Sequence, residues 1–372
     1  MNSITKAGLL LNAIKAPYEI FMKLCEYYDP DDLFRGESFW EELEMSKSVQ
    51  NRLAGIIAKD SWAENELEHA EKLDARFITA QDLDYPEKLR DLKKPPIGIY
   101  VRGNANILSL PSIAIVGTRK CSSYGHDVAY RLAGLASQRN IIIISGGARG
   151  IDASAHRGCL DSDGRTIAVF GTGLEKIYPA EHKELFSRIL KHGALITEYP
   201  ISSGGEVWRF SERNRIIAAL ASRVVIVESP EGGGAMKTAN LGLELGREVL
   251  SVPGRINEDS FKGSNELLNK GTGALTSLEE FINSIAGNPQ LDINIDDNNS
   301  NKACGDSQTA LSLNSDEEKI IYSLIQKHER ITTDDLLSES GLDFVTIQGV
   351  LVELEANGLI NGEAGRYSLT VR

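Results

Sequence analysis

Short apolar runs recur through the middle of the chain: Ile113–Val116, Ile141–Ile144, Ile167–Phe170, Ala194–Ile196, Val224–Val227 and Val249–Val252. A longer stretch of helical character separates each from the next. Continuous apolar strands alternating with helices predict a parallel sheet covered on both faces. An earlier run, Ile97–Val101, follows a segment punctuated by Pro86, Pro95 and Pro96, residues that push their neighbours out of helix. Residues 1–80 carry another period. Ile14, Tyr18, Phe21, Met22 and Cys25, then Leu53, Ile56, Ile57, Trp62 and Leu67, fall at helical spacing, with breaks at Asp29-Pro30 and Gly36. The whole of 1–80 is therefore expected to be helical. Residues 287–314 are rich in Asn, Asp and Ser with hardly a large apolar side chain, the composition of a flexible linker. Beyond it, Ile320, Ile321, Leu324 and Ile325 mark one helix, Thr332–Ser338 a second that ends at Gly341, and Val345–Glu355 a third. Leu359-Ile360 and Tyr367–Leu369 then suggest two strands about an Asn361-Gly362 turn, which completes a winged-helix order.

The expected architecture is α/β: a doubly wound, mostly parallel sheet at 81–286, a small helical domain at 1–80, a linker at 287–314 and a winged helix at 315–372. Charge refines this division. The chain of 372 residues has 40 Lys and Arg against 53 Asp and Glu, net −13, which argues against a polyanionic partner. The charge is uneven, however: residues 1–110 carry net −5, residues 111–275 net +3, and residues 276–372 net −11. The sheet region is thus locally basic between acidic flanks. Four cysteines, Cys25, Cys121, Cys159 and Cys304, form no C-x-x-C pair and no zinc-type spacing. Scattered thiols fit a reducing cytosol, and no apolar run approaches the roughly 18–20 residues that span a bilayer. A soluble cytoplasmic protein without a metal, a cofactor or a membrane anchor is expected.

In doubly wound sheets ligands bind beyond the carboxyl ends of the strands, so the loops there hold the candidate chemistry. The first strand runs into Gly117-Thr118-Arg119-Lys120-Cys121-Ser122-Ser123. Ser122 or Ser123 is a natural N-cap, and the helix start behind it, with the Arg119 fork, suits a phosphate; a capped turn with a solvated arginine is the plainer alternative. The second strand ends in Ser145-Gly146-Gly147-Ala148-Arg149-Gly150-Ile151-Asp152. Asp152 and His156 share a helix face, and with no nucleophile at readable spacing they are expected to be structural. Tyr178 and Tyr199, each next to a proline, are expected to pack. The densest signal is Trp208-Arg209-Phe210-Ser211-Glu212-Arg213-Asn214-Arg215, where three arginines and two aromatics lie within eight residues, the ingredients of a single-strand groove. Gly232-Gly233-Gly234-Ala235-Met236-Lys237 is not a Walker A loop, because Met236 stands where glycine is required, and no G-x-G-x-x-G follows any strand. Three glycines ahead of Lys237 still make an anion cradle. Placed in loops on one rim, Arg119, Arg149, Arg209, Arg213, Arg215 and Lys237 are expected to converge on repeated phosphates.

The ordered stretches IAIVGTRKCSSYG, SGGARGIDASAHRG, TIAVFGTGLEKIYP, ITEYP, FSERNRIIAAL, VVIVES followed by GGGAMKTA, GREVLSVPG and GSNELLNKGTGAL resemble the DNA-processing protein A (DprA/Smf) family over roughly residues 80–275. The resemblance implies an extended Rossmann-like core, a SAM- or HhH-like helical N-terminal domain and a winged helix. It also implies a non-enzymatic protein that binds incoming single-stranded DNA in natural transformation, protects it, loads the RecA recombinase and forms homodimers. Carried onto this chain, the family's DNA pocket points to Arg119, Ser145, Gly146, Phe210 and Arg213-Asn214-Arg215. Arg149 and Lys237 join on the charge argument. Ser211, where the family commonly has proline, and Gly233-Gly234-Ala235, where Ser-Gly-Ser is frequent, depart from its pattern.

Two other functions compete. A nucleoside-monophosphate phosphoribohydrolase would use a P-G-G-x-G-T-x-x-E loop, and Pro230–Thr238 lacks its Gly-Thr step and its glutamate. A pure interaction scaffold would use the basic loops against acidic partners. The winged helix favours protein contact over groove reading: its third helix has Asp343, Glu353 and Glu355 and no Lys or Arg, which leaves Arg366 as the positive charge of that region.

Overall fold

The computed structural model describes residues 2–286, 316–328, 331–356, 360–363 and 366–369. The expected linker at 287–314 lies outside the described residues. By compactness the chain falls into two units, Met1–Asn294 and Ile295–Arg372.

The first unit opens with helices α1 (Ser3–Ala13), α2 (Tyr18–Tyr27), α3 (Glu37–Glu42), α4 (Lys47–Ile57) and α5 (Trp62–Lys72). Asn2 and Ser46 start α1 and α4 as N-caps, their side-chain oxygens accepting from the N–H groups of Thr5 and Val49. Helix does not extend to residue 80. Ala75–Thr79 is a strand, β1, paired antiparallel with β2 (Gly98–Gly103) from Ala75 opposite Arg102 to Thr79 opposite Gly98. Asp74 makes the break in the left-handed region at φ 54°, and Phe77, Ile78 and Thr79 are residue types that pack well on a pleat. Phe77 lies against Tyr100 with ring centroids 4.7 Å apart.

Strands and helices then alternate: β3 (Ser112–Val116), α6 (Ser123–Ser137), β4 (Ile142–Ser145), α7 (Ile151–Asp161), β5 (Thr166–Val169), α8 (Lys183–His192), β6 (Ala194–Thr197), α9 (Val207–Leu220), β7 (Arg223–Ile226), α10 (Gly234–Glu244), β8 (Glu248–Ser251), α11 (Lys262–Asn269), β9 (Gly273–Ala274) and α12 (Leu278–Ala286). The nine strands form one sheet in the order β1-β2-β6-β5-β4-β3-β7-β8-β9. The β1–β2 and β2–β6 pairs are antiparallel and the others parallel. The chain winds outward from β3 to β6, then crosses back to place β7 on the other side of β3, so the winding direction switches between β3 and β7. That is the Rossmann-like doubly wound arrangement, and a crevice opens at its switch point.

The alternation along each strand explains the two covered faces. Ile113 and Ile115 of β3, Ile143 of β4 and Val225 of β7 join one apolar cluster with Val128, Leu132 and Ala136 of α6. Their neighbours Ala114, Val116, Ile142, Ile144, Val224 and Ile226 join the other, with Ile216 and Ile217 of α9. That second cluster runs without interruption into Leu9, Phe21, Leu24 and Leu53 of the N-terminal helices. Polar links reinforce the join: Asn12 Nδ2 donates to the carbonyl of Glu198 (2.8 Å), and the N–H of Ile201 donates to Glu66 Oε1 (2.7 Å). Among the described residues no helix is long and apolar enough to cross a membrane.

The second unit contains α13 (Asp316–Lys327), β10 (Ile331–Thr332), α14 (Thr333–Ser340), α15 (Phe344–Ala356), β11 (Ile360–Glu363) and β12 (Arg366–Leu369), with a three-stranded sheet in the order β10-β12-β11. Thr332 and Asp335 form a capping box on α14, and Gly341 ends that helix at φ 70°. Asn361 and Gly362 are not the turn of the hairpin; they lie within β11, opposite Ser368 and Tyr367. Ile321, Leu336, Ile347, Leu351 and Leu354 are its core.

Candidate nucleic-acid interface

A cleft of about 470 Å³ opens at the switch point. The loop after β3 supplies Gly117, Thr118, Arg119 and Lys120, the loop after β7 supplies Ser229, Pro230 and Gly233, and α9 and α10 close the sides. Gly117 is required for the chain to leave β3 here: a Cβ would stand 2.5 Å from Ile151 Cγ1 and 2.8 Å from the carbonyl oxygen of Glu228. Thr118 anchors the loop by donating its N–H to that carbonyl at 2.7 Å. Arg119 and Lys120 then extend from it, exposed.

The start of α6 differs from expectation. Ser122 is the N-cap, as its sequence position suggests, but the anion there is the protein's own. The Glu228 carboxylate, fully buried, accepts from Ser122 N–H (2.9 Å) and from Ser122 Oγ (2.8 Å), and Ser122 Oγ accepts in turn from Gly125 N–H (3.0 Å). A Cβ at Gly125 would lie 2.2 Å from Glu228 Oε2, so glycine there makes the approach possible. This helix end is therefore filled from within. The start of α10 is not: Gly233, Gly234 and Ala235 line the cleft, and no side chain caps that helix. Lys237, exposed on its first turn, donates to Ser211 Oγ of α9 at 3.0 Å.

The arginine-rich stretch lies inside α9 rather than in a loop, and helical geometry fans it out. Successive residues turn by about 100°, so Arg213 and Arg215 point about 160° apart. Phe210, Ser211, Arg213, Asn214 and Ile217 face the cleft. Arg215 faces the opposite side, pairing with Glu198 and donating to the carbonyl of Lys94 at 2.9 Å. Arg209 stands over Tyr199, 4.9 Å from its ring centroid. Of the six basic residues expected to converge, Arg119, Arg213 and Lys237 line the cleft; Arg149, Arg209 and Arg215 do not.

Arg213 is not a surface cation. It is 4% exposed, and its guanidinium donates to the carbonyl oxygens of Gly146 (2.7 Å) and Val169 and, through Nε, to Asn214 Oδ1 (3.2 Å). Burial pulls it down to about 10, against the opposing pull of the Asp152 charge. Asp152, also buried, has its carboxyl held above the usual range by burial, although it accepts from the N–H groups of Gly146 (3.1 Å) and Ala148 (3.3 Å). Gly146 has no room for a side chain: a Cβ would stand 2.4 Å from Arg213 Nη2. Ser145 is buried and donates Oγ to the Ile115 carbonyl at 2.7 Å. Ser145 and Gly146 thus build the floor rather than the surface. Arg149, next along, is exposed and paired with Glu181 beside the cleft.

Phe210 is half-buried. The Arg119 guanidinium lies 5.7 Å from its ring centroid, and Tyr178, half-exposed, tilts against it at 5.1 Å. Gly171 lies beneath, where a Cβ would come 2.9 Å from Phe210 Cδ1. Lys120, which follows Arg119 directly and which sequence reasoning did not single out, also lines the cleft. Tyr178, expected to pack, lies against Phe210. His156 is fully buried behind the cleft floor. Thr166 Oγ donates to the Ile143 carbonyl (2.7 Å), so its oxygen accepts from His156 Nδ1–H (2.8 Å). The described residues hold no cluster of three His, Cys, Asp or Glu able to take a metal ion.

The family described as DNA recombination-mediator protein A matches residues 76–286. A curated relative, a putative DNA processing protein DprA of Mycobacterium tuberculosis, is 32% identical over 340 residues, 86% of this chain and 84% of the relative. Among solved structures, DNA processing protein A of Streptococcus pneumoniae superposes with a TM-score of 0.62 at 27% identity, over 76% of this chain and 95% of that one. DNA processing protein A of Helicobacter pylori, whose structure is described as giving insight into its single-stranded DNA binding mode, superposes with a TM-score of 0.52 at 30% identity, over 56% of this chain and 95% of that one.

Proposed function

The chain belongs to the DNA recombination-mediator protein A family, and from that membership we propose that it binds single-stranded DNA in the switch-point cleft and presents it for recombination. The observation that carries this reading is the meeting of Arg119, Lys120, Lys237 and Phe210 at one cleft mouth, drawn from three separate segments. Exposed cations neutralise successive phosphates, while an aromatic ring takes a base without regard to its identity. The open start of α10 adds backbone N–H groups toward a phosphate. Arg213, Asp152 and Ser145 keep the floor rigid beneath them.

RecA loading and homodimer formation are part of the same proposal and rest on family membership, as does action in a cytoplasmic setting without catalysis. The phosphoribohydrolase reading has less support: Asp152 is bonded to two backbone amides, His156 is buried on Thr166, and the start of α6 already holds a carboxylate. The C-terminal unit is proposed as a winged helix that contacts protein partners. A titration of fluorescent oligothymidine against salt tests the central claim. Affinity should fall steeply with ionic strength, and absence of binding at low salt overturns it.

A further inference from the structure

Across the first turn of α9 from the cleft lies a second groove of about 560 Å³, between the sheet end and the N-terminal helices. Its charged lining is Lys15, Arg52, Lys59 and Arg209, and Trp208 and Tyr199 are its aromatic residues. No acidic side chain among the described residues lines it. Lys15 and Arg209 are partly committed. Lys15 pairs with Glu212 and Arg209 with Glu206, and both stand over the Trp208 indole, 4.6 and 5.4 Å from its centroid. Arg52 and Lys59 are exposed. Arg52 donates to the Ser48 carbonyl on its own helix at 3.3 Å, and neither has an acidic partner among the described residues.

The two grooves share a ridge. Val207, 88% exposed, lines the first, and Trp208, 49% exposed, lines the second. Phe210 and Trp208 are two residues apart on α9 and point about 160° apart, one into each groove. The approach to the ridge is Gly204-Gly205, both exposed, and a Cβ at Gly204 would meet nothing within 4 Å. Glu206, the acidic residue on the ridge, is engaged by Trp208 Nε1 and by Arg209 at 3.3 Å.

We propose that a single strand held in the cleft continues over the start of α9 into this groove, where Arg52 and Lys59 of the N-terminal helices neutralise its phosphates and the open half of Trp208 takes a base. The proposal rests on reading the cleft as a single-strand site. It makes the N-terminal helices part of the nucleic-acid surface, although residues 1–110 carry net negative charge. The acidic residues lie elsewhere on those helices, and the local sign at the groove is positive.

The test uses the full chain with oligothymidines of about 6 and about 15 nucleotides, lengths within and beyond one binding groove. The wild type should bind the longer strand more tightly than the extra length alone explains. The double variant Arg52→Glu/Lys59→Glu should bind the longer strand about tenfold more weakly and lower its salt slope by about 1.4, the share of two phosphate contacts on a single strand. Its affinity for the shorter strand should stay within about twofold of wild type. Equal loss on both lengths, or no loss on the longer one, overturns the proposal. A shorter strand that fails to bind the wild type sinks the reading of the cleft instead, and this proposal with it.

Discussion

Arg213 and Asp152 grip opposite ends of one residue. The guanidinium donates to the carbonyl of Gly146 at 2.7 Å, and the carboxylate accepts from the N–H of the same Gly146 at 3.1 Å. The two buried charges hold the two peptide groups that flank the Cα of Gly146, just past the end of β4. Such an arrangement contributes little as an isolated pair but costs much when one half is removed. Arg213→Met should therefore destabilise the fold by about 3–5 kcal/mol, because it leaves the buried Asp152 carboxylate without its counter-charge and the carbonyl oxygens of Gly146 and Val169 without their donor. Denaturant unfolding reads this directly, and a loss below about 1 kcal/mol would show that Arg213 serves a bound ligand rather than the floor.

Arg119 and Lys237 have the opposite character, exposed and free of buried partners. Arg119→Ala and Lys237→Ala should each change folding stability by less than about 0.5 kcal/mol. Each should also lower the slope of log affinity against log salt by about 0.7. Oligothymidine titrations at four or five salt concentrations give the slope, and unchanged slopes would remove these residues from the phosphate path.

Phe210→Ala separates stacking from charge. Loss of the ring should weaken single-strand binding by about 1–3 kcal/mol while leaving the salt slope where it was. Phe210→Trp should restore most of the affinity. A slope that changes with the ring would mean that Phe210 acts by positioning Arg119, whose guanidinium lies 5.7 Å from its centroid.

His156 governs an acid-sensitive component of stability. Burial, followed by the charges of His182, Arg213 and Arg157, pulls it from 6.5 down to about 3. The unfolded chain therefore binds a proton that the folded one does not between about pH 6.5 and about pH 3. Stability should be full above that window and fall by up to about 1.4 kcal/mol per pH unit as the solution is acidified through it. His156→Gln should flatten the profile of unfolding free energy against pH over this interval, and an unchanged profile would assign the acid sensitivity to carboxylates alone.

Strands β3 to β8 were legible because they are covered on both faces, so each appears as an apolar run. β1 was not. Ala75–Thr79 is short and begins three residues after the end of α5, so the strand-favouring Phe77, Ile78 and Thr79 are too few to stand out from the helical pattern ahead of them. The presence of Arg119, Phe210 and Lys237 at one cleft could be read from strand order alone. The divergence of Arg209 and Arg215 could not, since it depends on the whole stretch being helical, and the expectation treated it as loop. The groove beside Trp208 was invisible for another reason. Lys15, Arg52 and Lys59 are scattered through an acidic segment, and only packing of α1 and α4 against the start of α9 brings them together.

Glu228 has a consequence for what this scaffold accepts. Nucleotide-binding sheets of this topology commonly place one phosphate on the amides that open the helix after their first strand, a rigid seat of fixed partial charge. Here a glutamate from the loop after the neighbouring strand occupies that seat, with Gly125 cut away to admit it. At that first helix an incoming anion meets the long, hydrated side chains of Arg119 and Lys120 instead, and such groups tolerate variation in where a charge arrives. A polymer sliding through in many registers suits that rim better than one small molecule in a single pose.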